Sequence, residues 1–396
     1  MTKPLEGVRV LDLTQAYSGP FCTMHLADQG AEVIKIEPPG GEQSRHFAPI
    51  KNDYSGYYAY MNRNKKGMVL DLKTDEGKEI LRELIKEADV ICENFKVGTF
   101  EKMGFSYEEM KRINPGIIYG SISGFGLEGD YAKRPCYDII AQALSGMMSI
   151  TGYPDAPPVK TGTSFADNYS GTYLAMGISM ALYQREKTGE GQRLDVAMMD
   201  TLFSVLENFV VIYTAGGTIP SRIGNIDPAA APYDSFKAKD GEFVMAIATN
   251  RMFDTLCSVM GREDLKDDPR FATNMDRVEN YMPDLKDEIE KWTMTLTESE
   301  IEELLVEAGI PVARINNIEE ASEHPVIKER NMMWSVYEPG MEDEFSMPGC
   351  PVKMHGKGDE ILKAAPLLGE DTDEILKSIL GYTDEKIGKL HDDGII

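Results

Sequence analysis

The segment TSFADNYSG, residues 163–171, sets a single carboxylate, Asp167, among small residues just ahead of the apolar run GTYLAMGISMALY. The residues alone read Asp167 as a helix N-cap, because an aspartate before an apolar helix accepts its free backbone N–H groups. A helix N-terminus also holds a carboxylate in its ionised form. Whether that carboxylate carries chemistry as well stays open at this level. Other chemistries leave less trace. The five cysteines, Cys22, Cys92, Cys136, Cys257 and Cys350, include no C-x-x-C pair. The five histidines, His25, His46, His324, His355 and His391, are scattered without H-E-x-x-H spacing. This argues for reduced thiols and against a disulfide framework or a metal site. No G-x-x-x-x-G-K-[ST] occurs, and no G-x-G-x-x-G follows the first expected strand. P-loop and ordinary dinucleotide sites are therefore disfavoured.

Whatever Asp167 does, the elements around it must place it. The first third alternates strand and helix. VRVLDL (8–13), AEVIKIE (31–37), MVLDL (68–72), VICEN (90–94) and GIIYGSISGFG read as strands. FCTMHLADQGA, DEGKEILRELIKEAD and YEEMKRIN read as helices between them, the second with Ile80, Leu81, Leu84, Ile85 and Ala88 on one face. This order predicts a mostly parallel, doubly wound sheet, whose ligands lie outside the carboxyl ends of the strands. The candidate loops there are TQAYSGP, PPGGEQSR, ENFKVG and ISGFG. Residues 171–186 and 196–213 read as two apolar helices, with KTGEGQRLDV as a loop and short strand. From 250 to 330 the chain reads as helical and acidic, a smaller second domain, and the tail from 331 returns to strands and the helix DTDEILKSIL.

The 396 residues allow two or three domains, and 42% hydrophobic with 27% charged residues is a globular balance. A formal charge of −25 repels phosphate backbones, so no nucleic-acid partner is expected. An anionic small ligand would need a local basic pocket. No run approaches ~20 apolar residues, and MTKPLEGVRV shows no basic-then-apolar leader. The expectation is a cytoplasmic protein with no membrane partner.

Seven collinear segments now carry a resemblance. PLEGVRVLDLTQAYSGPFCTMHLADQGAEVIKIEPPGG, NRNKKGMVLDLKTDEGK, ADVICENFKVGTFEKMGFSYEEM, RPCYDIIAQALSGMMSITGYPDAPPVKTGTSFADNYSG, REKTGEGQRLDVAMMD, RIGNIDPAAAPYDSFKAKDG and APLLGEDTDEILKSILGYTDEKIGKLH span almost the whole chain. In order, they resemble the family III CoA-transferases, which include the formyl-CoA:oxalate and acetyl-CoA:oxalate enzymes. The resemblance implies an α/β fold. It has a large Rossmann-like domain with a doubly wound parallel sheet (1–215 and 331–396), a smaller inserted α+β domain after a linker (216–330), and an interlocked homodimer. It implies that Asp167, in a GxSxAD-like segment, is the nucleophile. It implies acyl-CoA and small carboxylate substrates with no permanently bound cofactor. It puts Tyr17 and Ser18 at the thioester end, Leu70 to Lys73 beside the adenosine, and Asn94, Phe95 and Lys96 after the strand VICEN. Lys102 stands where relatives often carry Arg, so a forked phosphate contact becomes a point charge. Arg45 and Lys65 are further candidate phosphate contacts, and Cys136, Tyr137 and Asp138 lie near the nucleophile. Each has a plainer reading: Leu70 and Phe95 as core, the lysines as solvated charges, Tyr137 as packing.

The departures narrow the expectation. Formyl-CoA:oxalate enzymes have Gln where Tyr17 stands, and their glycine-rich small-domain loop has no counterpart near IATNRMF. The arginine some relatives carry after KIE is Pro38 here. These fit the acetyl-CoA:oxalate type better. The expected reaction moves CoA from acetyl-, formyl- or succinyl-CoA to a small acid, oxalate first, with carnitine-type, aryl or bile acids as alternatives. An α-methylacyl-CoA racemase would pair its Asp with a His just before Asp-Ile, where this chain has Tyr137. A CoA-binding protein without turnover would show CoA stabilisation but no exchange.

Overall fold

The structure is a computed structural model and describes residues 3–354 and 362–396; His355 lies outside them. Short buried strands alternate with amphipathic helices, and this builds one six-stranded parallel sheet. Its strands are β1 (Arg9–Asp12), β2 (Glu32–Glu37), β3 (Lys66–Val69), β4 (Val90–Glu93), β5 (Ile118–Ser123) and β6 (Arg193–Ala197). They lie in the order β3-β2-β1-β4-β5-β6, all parallel neighbours. The order reverses at β1. The crevice beyond the carboxyl ends of β1 and β4 is therefore where this topology leaves room for a ligand.

The helices that matter are α1 (Ser18–Asp28), α2 (Asp75–Lys86), α3 (Tyr107–Ile113), α4 (Asp138–Ser145) and α5 (Phe165–Thr188). Thr74 caps α2 by accepting from Gly77 N. Its buried stripe of Ile80, Leu81, Leu84 and Ile85 joins Leu11, Ile34, Ile91 and Tyr119 in the sheet's core. Each such side chain contributes about 1.5–3 kcal/mol on burial. Three details differ from the sequence expectation. β3 ends at Val69, because the Asp71 side chain accepts from Lys73 N and turns the chain toward α2. α5 begins at Phe165, well before Gly171. The expected helix over 196–213 is two, α6 (Met198–Ser204) and α7 (Asn208–Gly216), bent by 73° across Glu207 in the left-handed region.

The chain divides into two compact units. One holds the residues up to Met147, Lys160–Ala215 and those from Lys328 on. In it the antiparallel hairpin β10 (Met333–Glu338) and β11 (Asp343–Pro348) follows the second unit in sequence. Helices α11 (Thr372–Leu380) and α12 (Asp384–Asp392) then put Ile375, Leu376, Ile387 and Leu390 into the sheet's core. The other unit is Met148–Val159 with Gly216–Ile327. Its three-stranded antiparallel sheet, β7 (Tyr233–Lys237), β8 (Glu242–Ala246) and β9 (Val312–Arg314), packs with α8 (Asn250–Met260), α9 (Lys286–Thr293) and α10 (Glu298–Glu307). Residues 148–159, which chain order put in the first part of the large domain, belong to this second unit. Arg222 Nε donates to Tyr153 O at 3.3 Å there. Among the described residues no single helix is long and apolar enough to cross a membrane.

Candidate active site

Asp167 is the third residue of α5, not its cap. The N-cap position is Ser164, which makes no side-chain capping bond. The cap comes from another helix: Asp138, first residue of α4, accepts from Ala166 N at 2.8 Å through Oδ1. Its Oδ2 accepts from Gln142 Nε2 at 2.7 Å, and Gln142 Oε1 accepts from Thr161 N at 2.9 Å. Asp138 thus fixes both the start of α5 and the loop that leads into it.

Glycines let the two helices meet. A Cβ on Gly171 would lie 2.6 Å from Ser18 O and 3.1 Å from Cys22 N, so only glycine allows α5 to cross the start of α1 this closely. That crossing brings Ser18 beside Asp167, near enough for its hydroxyl to lower the carboxyl. Tyr17 Oη donates to Asn168 Oδ1 at 2.8 Å. The Tyr57 ring stands edge-on to Tyr17 at 5.6 Å and to Phe47 at 5.5 Å. Burial pushes both phenols up, and the Asp167 charge adds to it, so they act as O–H donors. Neither Tyr57 nor Phe47 was marked by the sequence. The only signal was the Tyr-rich stretch YSGYYAYMNRN.

The helix N-terminus does not keep Asp167 strongly acidic. Burial raises its carboxyl, the neighbouring Asp138 carboxylate raises it further, and the Ser18 bond only partly offsets them, leaving it at about 7. This corrects the expectation from the helix dipole: burial outweighs it, and Asp138 both takes the Ala166 N–H and adds a like charge. Cys136, just before α4, is likewise pushed up, to about 11, by burial and these two aspartates. Its Cβ lies against Gly124 of ISGFG, where a glycine Cβ would come within 2.2 Å. Tyr137 is 75% exposed and so is not core packing.

The expected CoA residues fall into three groups. Lys73, Lys96 and Lys102 are exposed near the loops after β3 and β4. Leu70 is buried in the core and Phe95 packs against it, with its ring 6.0 Å from Phe100. Lys65 requires correction as a phosphate contact, and Arg45 is largely engaged within the protein. The Arg45 fork is bidentate on Glu37 at 2.8 and 2.6 Å, and also donates to Tyr58 Oη and Pro366 O. Lys65 is buried, with its ammonium on Asp12 Oδ2, Thr23 Oγ1, Asn62 Oδ1 and Pro20 O. A lysine ammonium has three protons, and these four acceptors use them. The Asn94 side chain faces the loop after β1, as set out below. Chain order also hid one convergence: ligand-type atoms of His25, Asp28 and Cys350 lie within 4.8 Å of one another. Both Asp28 oxygens are held by Arg63, and one also by Asn64.

A Rossmann-order parallel sheet, with a buried carboxylate and tyrosines beside the helix that follows β1, defines an α/β protein with a candidate site for acyl chemistry. The sequence model of CoA-transferase family III matches residues 5–372, and the chain belongs to this family. It is an enzyme of the CoA-transferase type, for which CoA thioesters are substrates. It is 41% identical over 358 residues to acetyl-CoA:oxalate CoA-transferase of Acetobacter aceti, covering 90% of each chain. It is 42% identical over 381 residues to succinyl-CoA:mesaconate CoA-transferase of Haloarcula hispanica, covering 94% of this chain and 95% of that one. A CAIB/BAIF family protein from Brucella suis has a solved structure that superposes with a TM-score of 0.84 at 35% identity, over 96% of this chain and all of that one.

Proposed function

We propose that the enzyme transfers CoA from acetyl-, formyl- or succinyl-CoA to a small dicarboxylic acid, oxalate first, with Asp167 as the covalent nucleophile. The observation that carries this is the buried Asp167 carboxylate, on a helix that crosses the start of α1 at Ser18, with Tyr17 bonded to the next residue, Asn168. The carboxylate attacks the donor thioester carbonyl and expels CoA thiolate, leaving a mixed anhydride. The thiolate attacks the aspartyl carbonyl, forming an aspartyl-CoA thioester and releasing the donor acid. The acceptor carboxylate reverses the two steps. Exchange through a covalent carrier splits one hard step into easier ones. Tyr57 supplies a donor where acyl oxygens carry charge, while Tyr17, whose proton goes to Asn168, walls the pocket. The exposed Lys73, Lys96 and Lys102 supply the local cations that an acidic chain needs to hold CoA phosphates.

The aromatic wall of Tyr17, Tyr57 and Phe47 favours a second reading for the acceptor, an unsaturated five-carbon diacid of the mesaconate kind. An α-methylacyl-CoA racemase fits less well, since the exposed Tyr137 phenol replaces its imidazole. The enzyme we propose is a cytoplasmic homodimer. α7, NFVVIYTAG, has no buried residue, and Ile139, Ile140, Leu144, Met180 and Tyr183 are exposed on α4 and α5. A second copy would cover these faces. An acceptor screen with acetyl-, formyl- and succinyl-CoA, read as new acyl-CoA masses, tests the proposal. Oxalyl-CoA supports the oxalate reading, mesaconyl-CoA the second. No exchange with any acid, together with α-proton exchange on a 2-methylacyl-CoA, overturns both.

The transfer needs Asp167 ionised. Because its carboxyl titrates at about 7, kcat/KM for acyl-CoA is expected to rise tenfold per pH unit below 7 and level off near pH 8. A profile flat down to pH 5 would show that the carboxyl is not held up in the free enzyme.

A further inference from the structure

The loop that delivers Ser18 is short, strained and held by side chains. Ala16 lies in the left-handed region at φ 62°, an uncommon conformation for a non-glycine residue. It is held there because the backbone on either side is tied down. Thr14 N donates to Asp12 Oδ1, Thr14 O accepts from Lys35 Nζ, and Ala16 N donates to Glu42 Oε2. The most complete tie comes from Asn94, at the end of β4. Its Oδ1 accepts from Gln15 N at 2.8 Å, and its Nδ2 donates to Gln15 O at 2.9 Å and to Ser18 Oγ at 3.4 Å. The two bonds to the backbone of one residue, an N–H and a C=O, fix which end of the amide is oxygen. Both amide protons are used inside the protein. Because Ser18 Oγ accepts from Asn94, its own proton is free to point at Asp167.

We propose that Asn94 is a positioning residue of the transfer reaction, acting through Gln15 and Ser18 on Asp167 rather than by contacting CoA. This rests on Asp167 being the nucleophile. Without Asn94 the loop loses three bonds and Ser18 loses its direction. A misplaced donor at the reacting group costs about a hundredfold in rate. The ionised carboxylate also loses the bond that favours it.

The test compares Asn94→Ala, Ser18→Ala, the double variant and Asp167→Ala in the full-length enzyme. It follows acyl-CoA exchange with an accepted acid across pH 5–9, and CoA binding by calorimetry. The expected result for Asn94→Ala is a kcat about a hundredfold lower, a CoA affinity within threefold of the parent, and an acid limb moved above 7. The double variant should be no worse than Ser18→Ala, because the two act in series. Weakened CoA binding with kcat kept would overturn the proposal, as would additive losses or an unmoved acid limb. If the alanine variant does not fold, Asn94→Asp keeps the shape and the acceptor but loses both donors. Parental kinetics in that variant would overturn the proposal equally. An active Asp167→Ala would sink the underlying mechanism instead, so the two failures are distinguishable.

Discussion

Asp167→Ala should lower CoA transfer by about 10^4-fold or more while CoA still binds, because loss of a covalent nucleophile removes the path and not the site. In the parent enzyme, acyl-CoA without acceptor should leave a CoA-sized mass on the peptide carrying Asp167, and the variant should show none. Near-parental turnover would end the covalent mechanism. The same residue makes a second, independent mark on stability. Its folded carboxyl is raised to about 7 from an ordinary 3.8, so the folded state prefers the proton. The unfolded chain gives that proton up above about pH 4, so the cost of holding the charge grows between pH 4 and 7 and is full above. Asp167→Asn, neutral at every pH, should therefore be more stable than the parent at pH 8, by up to about 4 kcal/mol. It should be no more stable near pH 4. Denaturant unfolding at the two pH values reads this directly.

Lys65→Met should destabilise the fold by about 3–5 kcal/mol. Burial would push the Asp12 carboxyl up. The Lys65 and Lys35 ammoniums and the Thr14 and Thr23 hydroxyls outweigh it and hold the carboxyl well below the usual range. Removing Lys65 strands a buried charge 2.9 Å from where its partner was. Asp12 also accepts from Thr14 N, so the damage reaches the loop carrying Ser18. A phosphate contact would behave in the opposite way, with CoA affinity lost and the urea midpoint unchanged. A lower midpoint with CoA binding kept in the folded fraction supports the buried role.

Much of the sheet was legible because strands such as VICEN and helices such as DEGKEILRELIKEAD carry their own periodicity. The start of α5 was not, because its capping carboxylate, Asp138, comes from 28 residues away. The break in the helix over 196–213 was not either, since an apolar run does not show where Glu207 adopts positive φ. Within the site, the sequence order brought out Asp167, Tyr17 and Ser18. Tyr57 and Phe47 went unmarked because aromatic residues, whether on a Tyr-rich helix or in the loop before it, look the same whether they pack or line a pocket.

The sequence by itself determined the parallel α/β class, the family and the carboxylate on which a transferase reading turns. These are written in local patterns and in motifs that keep their order. Only the tertiary structure decided the charge states and the uses of the polar side chains. Burial and Asp138 lift Asp167, Asp12 claims Lys65, Glu37 claims Arg45, and Gln15 with Ser18 claims Asn94. The reason is physical. Electrostatic and hydrogen-bond energies depend on desolvation and on distances between groups far apart in the chain, and a linear pattern carries neither.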